Sequence, residues 1–263
     1  AIIYQGTGTR ADKVFLMEKR KSIEGKLLCV YSSEKNKEYL LEKTYIKPTL
    51  RGRSINRYAL SETNQLLIVP YEIIDDKYTL VPKEKLAHEA PKTLSYFNEC
   101  RNRLNERENG RFIGEDYYCF GRPQNMTRFE VPEKIVLPDV VNRGTCFLDR
   151  EQNWLLDTCY GVIMLSNTRL RYHYLLGIMN SRLLTYFLKQ TGTALRGGYF
   201  RMKTAYLAPF PIRTIDFNEP AEKKMHDQMV QLVEQMLELN KQLPNAKTDH
   251  EKTLIQRQID ATD

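Results

Sequence analysis

The chain has 263 residues, of which 28% are charged, and a formal net charge of +7 at pH 7, which predicts a basic globular protein of one or two domains. No apolar run approaches the roughly 20 residues of a membrane-spanning helix, and no secretory signal is visible. The five cysteines are widely spaced and form no CxxC pair, so we expect reduced thiols in the cytoplasm rather than a zinc site or a disulfide framework.

The first 157 residues favour mixed strands and loops, because short apolar runs alternate with turn-forming Gly, Pro and Asn. The predicted strands are residues 27–31, 66–70, 135–137 and 160–165. Residues 94–108 predict a helix with a basic face that carries Arg101, Arg103 and Arg107.

Residues 172–190 have the periodicity of one amphipathic helix that ends before Gly192. Its predicted apolar stripe consists of Leu176, Met179, Leu183 and Phe187. A second periodic segment follows Asp216 and predicts a helix of about six turns. Its predicted seam consists of Met225, Met229, Leu232, Met236, Leu239 and Leu243. Residues 253–259 begin another helix, so this part of the chain is either an antiparallel helical hairpin or a single amphipathic helix packed on the body.

Residues 158–215 contain eight basic side chains, nine aromatic side chains and no Asp or Glu. A positive field concentrated in one segment indicates a polyanionic partner, of which nucleic acid is the commonest. A solvated basic face without a ligand is the alternative.

No sequence motif for catalysis is complete. Residues 5–10 (QGTGTR) lack the spacing and the lysine of a phosphate-binding loop and favour a turn. Pro138 and Asp139 resemble the start of a nuclease metal site, but no acid-x-Lys follows them. GxSxG and HExxH are also absent from the sequence. We therefore expect this chain to catalyse no reaction by itself and to bind no metal or cofactor.

Two clusters suit nucleic-acid binding. Residues 47–58 (KPTLRGRSINRY) carry four cations and no acid, and Gly52 allows close approach to a groove wall. Residues 196–203 (RGGYFRMK) combine paired glycines with arginine and aromatic side chains. The alternatives are an exposed loop for the first cluster and, for the second, Tyr199 and Phe200 in the core. Residues 122–125 are a weaker patch that favours a plain turn.

We expect one set of side chains to contact DNA phosphates and another set to lie near the DNA grooves. The side chains expected to contact phosphates are those of Lys47, Arg53, Lys189 and Lys203. The side chains expected near the grooves are those of Arg51, Asn56, Arg57, Arg196, Tyr199 and Arg201.

Four stretches of the chain carry a family resemblance. They are residues 6–15 (GTGTRADKVF), 47–58, 174–187 (YLLGIMNSRLLTYF) and 195–212 (LRGGYFRMKTAYLAPFPI). Together they resemble the C-terminal target-recognition domain of bacterial restriction–modification DNA methyltransferases, in the TaqI-like specificity class. The resemblance covers about residues 1–215, and the segment after Asp216 is similar to the helices that follow such domains.

The resemblance implies a mixed α/β (α+β) DNA-recognition domain at residues 1–215, followed by a helical segment at residues 216–263. It also implies a longer bacterial, cytoplasmic protein whose preceding catalytic domain binds S-adenosylmethionine, flips an adenine out of double-stranded DNA and methylates its N6. Some relatives also cleave DNA. The Asn-Pro-Pro-Tyr and cofactor-binding glycine motifs of that chemistry are absent from this sequence, so only target recognition is carried over.

Three alternatives stay open. An interaction or specificity subunit would dock partners through its C-terminal helices. An enzyme with an unrecognised active site would act on DNA by itself. An RNA-binding protein would stack unpaired bases on its aromatic side chains. The DNA target and the individual base contacts do not follow from the sequence.

Overall fold

The computed structural model describes residues 1–22, 25–61 and 64–263, which form a mixed α/β fold as predicted. The strands are β1 (Ile2–Gln5), β2 (Leu16–Ser22), β3 (Leu27–Ser32), β4 (Lys37–Glu42), β5 (Ile46–Leu50), β6 (Ile55–Asn56), β7 (Ala59–Leu60), β8 (Gln65–Ile68), β9 (Tyr71–Ile74), β10 (Lys77–Leu80), β11 (Lys134–Pro138), β12 (Val140–Val141), β13 (Phe147–Asp149), β14 (Trp154–Leu155), β15 (Cys159–Ile163), β16 (Ala194–Leu195) and β17 (Tyr199–Arg201). The helices are α1 (Asp12–Phe15), α2 (Lys83–Glu89), α3 (Pro91–Glu99), α4 (Arg101–Asn105), α5 (Tyr172–Met179), α6 (Arg182–Thr191), α7 (Thr204–Leu207), α8 (Pro220–Gln242) and α9 (Asp249–Thr262).

The first hydrophobic core lies on a six-stranded sheet with the order β14-β5-β8-β2-β3-β4. Its strands pair antiparallel except β14 with β5, which are parallel. Helix α3 covers the sheet with Tyr96 and Phe97, and Phe15 and Trp154 are fully buried in the same core. Large aromatic side chains thus supply much of the buried apolar area.

A four-stranded antiparallel sheet, β1-β15-β11-β13, separates the first core from a second one. Successive side chains of β11 point to opposite faces, so Val136 enters the first core while Ile135 and Leu137 enter the second. Burial on both faces explains why this strand is a continuous apolar run without alternation. Its first residue, Lys134, forms a fully buried ion pair with Asp149 of β13, 2.6 Å between Nζ and Oδ2.

The second core is built mainly from residues after 134. Helices α5, α6 and α8 and the small sheet β12-β17-β16 surround Leu176, Leu184, Phe200 and Val233, which are all buried. Among residues 1–22, 25–61 and 64–263, no helix has the length and apolarity to cross a membrane.

The single helix predicted for residues 172–190 is wrong, because the structure ends α5 at Met179 and begins α6 at Arg182. Asn180 turns inward, where its side chain accepts a hydrogen bond from Cys146 N at 2.8 Å and donates one to Cys146 O at 3.0 Å. Ser181 then caps α6 by accepting from Leu184 N. The break shifts the helical phase, so Leu184 is buried and Leu183 is 62% exposed.

The helix predicted for residues 94–108 is also divided. It comprises the end of α3, the short α4 and a turn of tighter helix. Arg107 does not lie on an exposed basic face as predicted, because its guanidinium is buried and donates to Thr9 O and Tyr117 O. These bonds satisfy a charged side chain that burial would otherwise make costly.

The predicted C-terminal helical hairpin is present as α8 and α9. The predicted seam is only partly right, since Met236 and Leu239 are buried but Met225 and Leu232 are exposed. Helix α8 buries instead the face that contains Val233, against the second core. The domain boundary at residues 215 and 216 stays a prediction.

Candidate nucleic-acid interface

Three distant segments meet at the turn of residues 156–159. Gly6 N donates to Cys159 O at 3.0 Å, and Gly52 N donates to Thr158 Oγ1 at 3.1 Å. Asp139 N donates to Thr158 O at 2.9 Å. The turn therefore fixes parts of the chain that lie far apart in sequence, and each of these segments carries charged side chains.

Close packing at this turn uses the predicted glycines. A Cβ on Gly6 would lie 2.1 Å from Leu156 O, and one on Gly52 would lie 2.8 Å from Thr158 O. Neither position accepts a side chain without a backbone shift. The small size of Gly52 permits this contact within the chain, and its close approach to a DNA groove stays a prediction.

Arginines and aspartates surround the turn in pairs. Arg51 Nη2 lies 2.9 Å from Asp12 Oδ2, and Arg10 Nη1 lies 3.9 Å from Asp157 Oδ2. A third pair joins Arg201 Nη1 to Asp139 Oδ2. Arg122 is exposed next to Gly8, with which it forms a backbone bridge. We call this set the arginine–aspartate surface, and its members are Arg10, Asp12, Arg51, Arg122, Asp139, Asp157 and Arg201.

Asp157 lies at the centre of the arginine–aspartate surface. Burial raises the pKa of its carboxyl, and the negative charge of Asp12 raises it further, while Arg10 and Arg122 act in the opposite direction. Asp139 adds a smaller upward effect on this pKa. The carboxylates and guanidinium groups of separate segments thus lie close enough to influence one another.

The residues predicted from the first cluster are not all directed to this surface. Arg51 belongs to it, and Arg53 is exposed nearby. Lys47 Nζ pairs with Glu130 Oε1 at 2.6 Å, and Asn56 Nδ2 donates to Ser61 Oγ at 2.8 Å. These two side chains are held by intrachain partners that do not belong to the arginine–aspartate surface defined above.

Arg57 is directed toward the C-terminal hairpin. Its Nη2 donates to Asn180 O at 2.9 Å, and its guanidinium pairs with the Asp263 carboxylate. Only 15% of its side chain is exposed. The structure therefore gives Arg57 a role in joining α9 to the corner between α5 and α6, and a DNA contact from it stays a prediction.

The second cluster forms a short turn and β17. Gly197 and Gly198 adopt φ values of 79° and 77°, which favour glycine, and Arg196 is exposed beside them. Tyr199 is 44% exposed, whereas Phe200 is buried in the second core. Strand β17 then leads to Arg201 on the arginine–aspartate surface, and Lys203 follows as a half-buried cation. The structure therefore brings Arg51 and Arg201 to one surface. Arg53, Tyr199 and Lys203 lie within two residues of these arginines in the chain and are at least partly exposed.

The sequence patterns do not mark Arg10, Asp12 or Asp157 as site residues, and they mark Asp139 only as part of an incomplete nuclease metal motif. The glycines of residues 6–8 were the available signal, because they permit the close backbone approach that places Arg10 here. In the weaker patch, Gln124 Nε2 and Asn125 Nδ2 donate to Gly6 O and Gln5 O. Those amides bond to the N-terminal segment, and the backbone of Arg122 forms a bridge with Gly8.

Comparison with known proteins agrees with this architecture. The family model of the TaqI-like C-terminal specificity domain matches residues 47–212. The curated type II restriction enzyme and methyltransferase RM.Eco57I of Escherichia coli is 23% identical over 273 residues, which cover 98% of this chain and 27% of that protein. The chain thus spans about a quarter of the length of this relative.

The fold is also similar to that of a larger solved structure. The type IIL restriction-modification enzyme MmeI, solved in complex with DNA, superposes with a TM-score of 0.60 at 10% identity, over 99% of this chain and 32% of that one. The resemblance drawn from the four sequence stretches is confirmed by these matches. The chain belongs to the family of TaqI-like C-terminal specificity domains.

Proposed function

We propose that this chain reads a specific duplex DNA sequence for a bacterial, cytoplasmic restriction–modification enzyme. The observation that carries the proposal is the arginine–aspartate surface, where the paired Arg51 and Arg201 lie at one turn. Arginine can contact guanine O6 and N7 together, and the aspartate partners restrict the positions of these two guanidinium groups. The family match and the relatives described above support the same assignment.

The side chains around this surface divide into two proposed roles. Arg51, Arg196, Tyr199 and Arg201 lie near the grooves, as do Asn56 and Arg57 if DNA displaces their intrachain partners. Contacts to DNA phosphates come from four cationic side chains, those of Lys47, Arg53, Lys189 and Lys203. Of these, Lys189 and Arg53 are exposed.

Methyl transfer belongs to a catalytic domain that we propose precedes this one in the same polypeptide. S-adenosylmethionine is the expected cofactor of that parent protein, which methylates adenine N6 and in some relatives also cleaves DNA. The Gly6–Gly8 segment does not fit this cofactor, because backbone atoms of Leu155 and Leu156 fill the space beside Gly6. No catalytic step is therefore assigned to residues of this chain.

Selection of bound duplexes from a randomised pool at two salt concentrations tests the proposal. We expect residues 1–263 to enrich a short motif at the higher salt, because base contacts persist when phosphate contacts are screened. If binding is lost at the higher salt and no motif is enriched, the chain offers DNA only a basic surface. No binding at either salt would favour the interaction-subunit alternative.

Paired substitutions test the division of roles. We expect Arg51→Ala to weaken binding of the selected duplex by about 1–3 kcal/mol and to relax preference at one base pair. Lys203→Ala should weaken the binding of all duplexes similarly. It should also lower the magnitude of the slope of log affinity against log salt concentration by about 1. Lys224→Ala, which removes an exposed lysine of α8, is the control. Equal losses from Arg51→Ala on every duplex would contradict its role in base reading.

A further inference from the structure

Asp139 is held in place by its own backbone. Its N–H donates to Thr158 O at 2.9 Å, and its carbonyl accepts from Met202 N at 2.8 Å. The neighbouring residue Val140 pairs with Arg201 in the ladder between β12 and β17. The Asp139 carboxylate therefore has a defined position relative to the strand that carries Arg201.

The Asp139 carboxylate is largely desolvated and joined to one cation. Its side chain is 15% exposed, and its Oδ1 is buried without a hydrogen-bond partner among the described residues. Oδ2 pairs with Arg201 Nη1. Burial of a carboxylate oxygen without a partner is costly, so the pairing with Arg201 is the main compensation within the described part of the chain.

The pairing leaves one edge of the Arg201 guanidinium open. Nη1 faces Asp139, while Nε and Nη2 have no hydrogen-bond partner in residues 1–22, 25–61 and 64–263. The Arg201 side chain is 36% exposed. Nε–H and Nη2–H are parallel donors, and their fork matches the paired acceptors O6 and N7 of guanine.

We propose that Asp139 is a positioning residue that fixes Arg201 for bidentate contact with one guanine of the DNA target. This inference rests on the proposed function. It adds that the base contacted by Arg201 is guanine and that Asp139 is the residue that orients Arg201. The negative charge of Asp139 also lowers the attraction of Arg201 for phosphate, because the cation is already neutralised at short range. Asp139 thus favours base contact over backbone contact.

Selection from a randomised duplex pool with wild type, Asp139→Asn and Arg201→Ala tests the proposal. We expect Arg201→Ala to lose the preference for guanine at one position, and Asp139→Asn to weaken the preference at that same position by about 5- to 150-fold. The double variant should lose no more than Arg201→Ala alone, because Asp139 acts through Arg201. Other positions of the motif should keep their preferences.

Glu115→Gln is the control for the loss of one negative charge as such, because it neutralises an exposed carboxylate that is paired with Lys83. This variant should leave the guanine preference unchanged. Asp139→Asn should also steepen the salt dependence of binding to unselected duplex by up to about one phosphate contact, because the freed Arg201 can reach the backbone. A purely structural role of Asp139 would lower the unfolding temperature without this change in salt slope.

Each outcome is decisive. If wild type selects a motif and Asp139→Asn keeps the guanine preference, or loses every preference equally, the role of Asp139 is overturned while the proposed function stands. If wild type selects no motif, the proposed function fails together with the inference. If Asp139→Asn does not fold, Asp139→Glu decides, since it keeps the charge but displaces the carboxylate and should weaken the same guanine preference.

Discussion

Asp157 carries a charge that the folded chain disfavours. Its pKa is raised, first by burial and then by Asp12, although Arg10 and Arg122 partly offset the effect. A carboxyl with a raised pKa in the folded state destabilises the fold when it is ionised. The destabilisation is present at pH values above the raised pKa and disappears as pH falls through it, because the folded form then binds the proton first.

We therefore expect Asp157→Asn to raise the free energy of unfolding at neutral pH. The difference from wild type should shrink as pH falls through the raised pKa of Asp157 and approach a small constant in acid. Urea unfolding at a series of pH values measures it. A difference that grows toward acid would contradict this sign.

At the scale of single elements, the corner between α5 and α6 decides which side chains are buried. The Asn180 side chain forms hydrogen bonds with both the N–H and the carbonyl of Cys146. These bonds to a buried backbone outweigh the helical periodicity of residues 172–190. A sequence pattern cannot report a hydrogen bond to a residue 34 positions away. The stripe that we predicted therefore holds for Leu176 and Met179 and fails for Leu183.

Paired leucine substitutions test the phase of α6. Leu184→Ala should lower the free energy of unfolding by about 2–5 kcal/mol, because it removes a fully buried side chain. Leu183→Ala, one residue away and exposed, should change it by less than about 0.5 kcal/mol. Denaturant unfolding of both variants measures the difference. The reverse order of effects would mean that the continuous helix of the sequence pattern is correct.

At the scale of the whole molecule, the C-terminal hairpin and the body share a core. Val233 and Met236 of α8 are buried with Leu176 and Met179 of α5. The face of α8 that contains Val233 and Met236 is therefore covered within the chain, whereas Met225 and Leu232 on the same helix stay exposed. The first core contains none of these residues and is centred on the six-stranded sheet.

Deletion of residues 216–263 tests how far the two cores depend on each other. We expect backbone amides of α5 to lose protection from hydrogen exchange, because the cover of Leu176 is removed, while Val30 and Leu41 in the first core stay protected. Hydrogen exchange resolved by residue measures both regions. Unchanged protection in α5 would instead support residues 1–215 as an independent domain, as the sequence predicted.

The sequence by itself determined the fold class, the helical C-terminal segment and the family, because local periodicity, composition and short motifs carry that information. It also marked the two clusters that contain Arg51 and Arg201. Only the tertiary structure decided that these arginines meet at one turn, that each has an aspartate partner, and that Arg57 faces the hairpin. The physical reason is that ion pairs and close backbone contacts depend on distances between segments far apart in the chain, which no local pattern specifies.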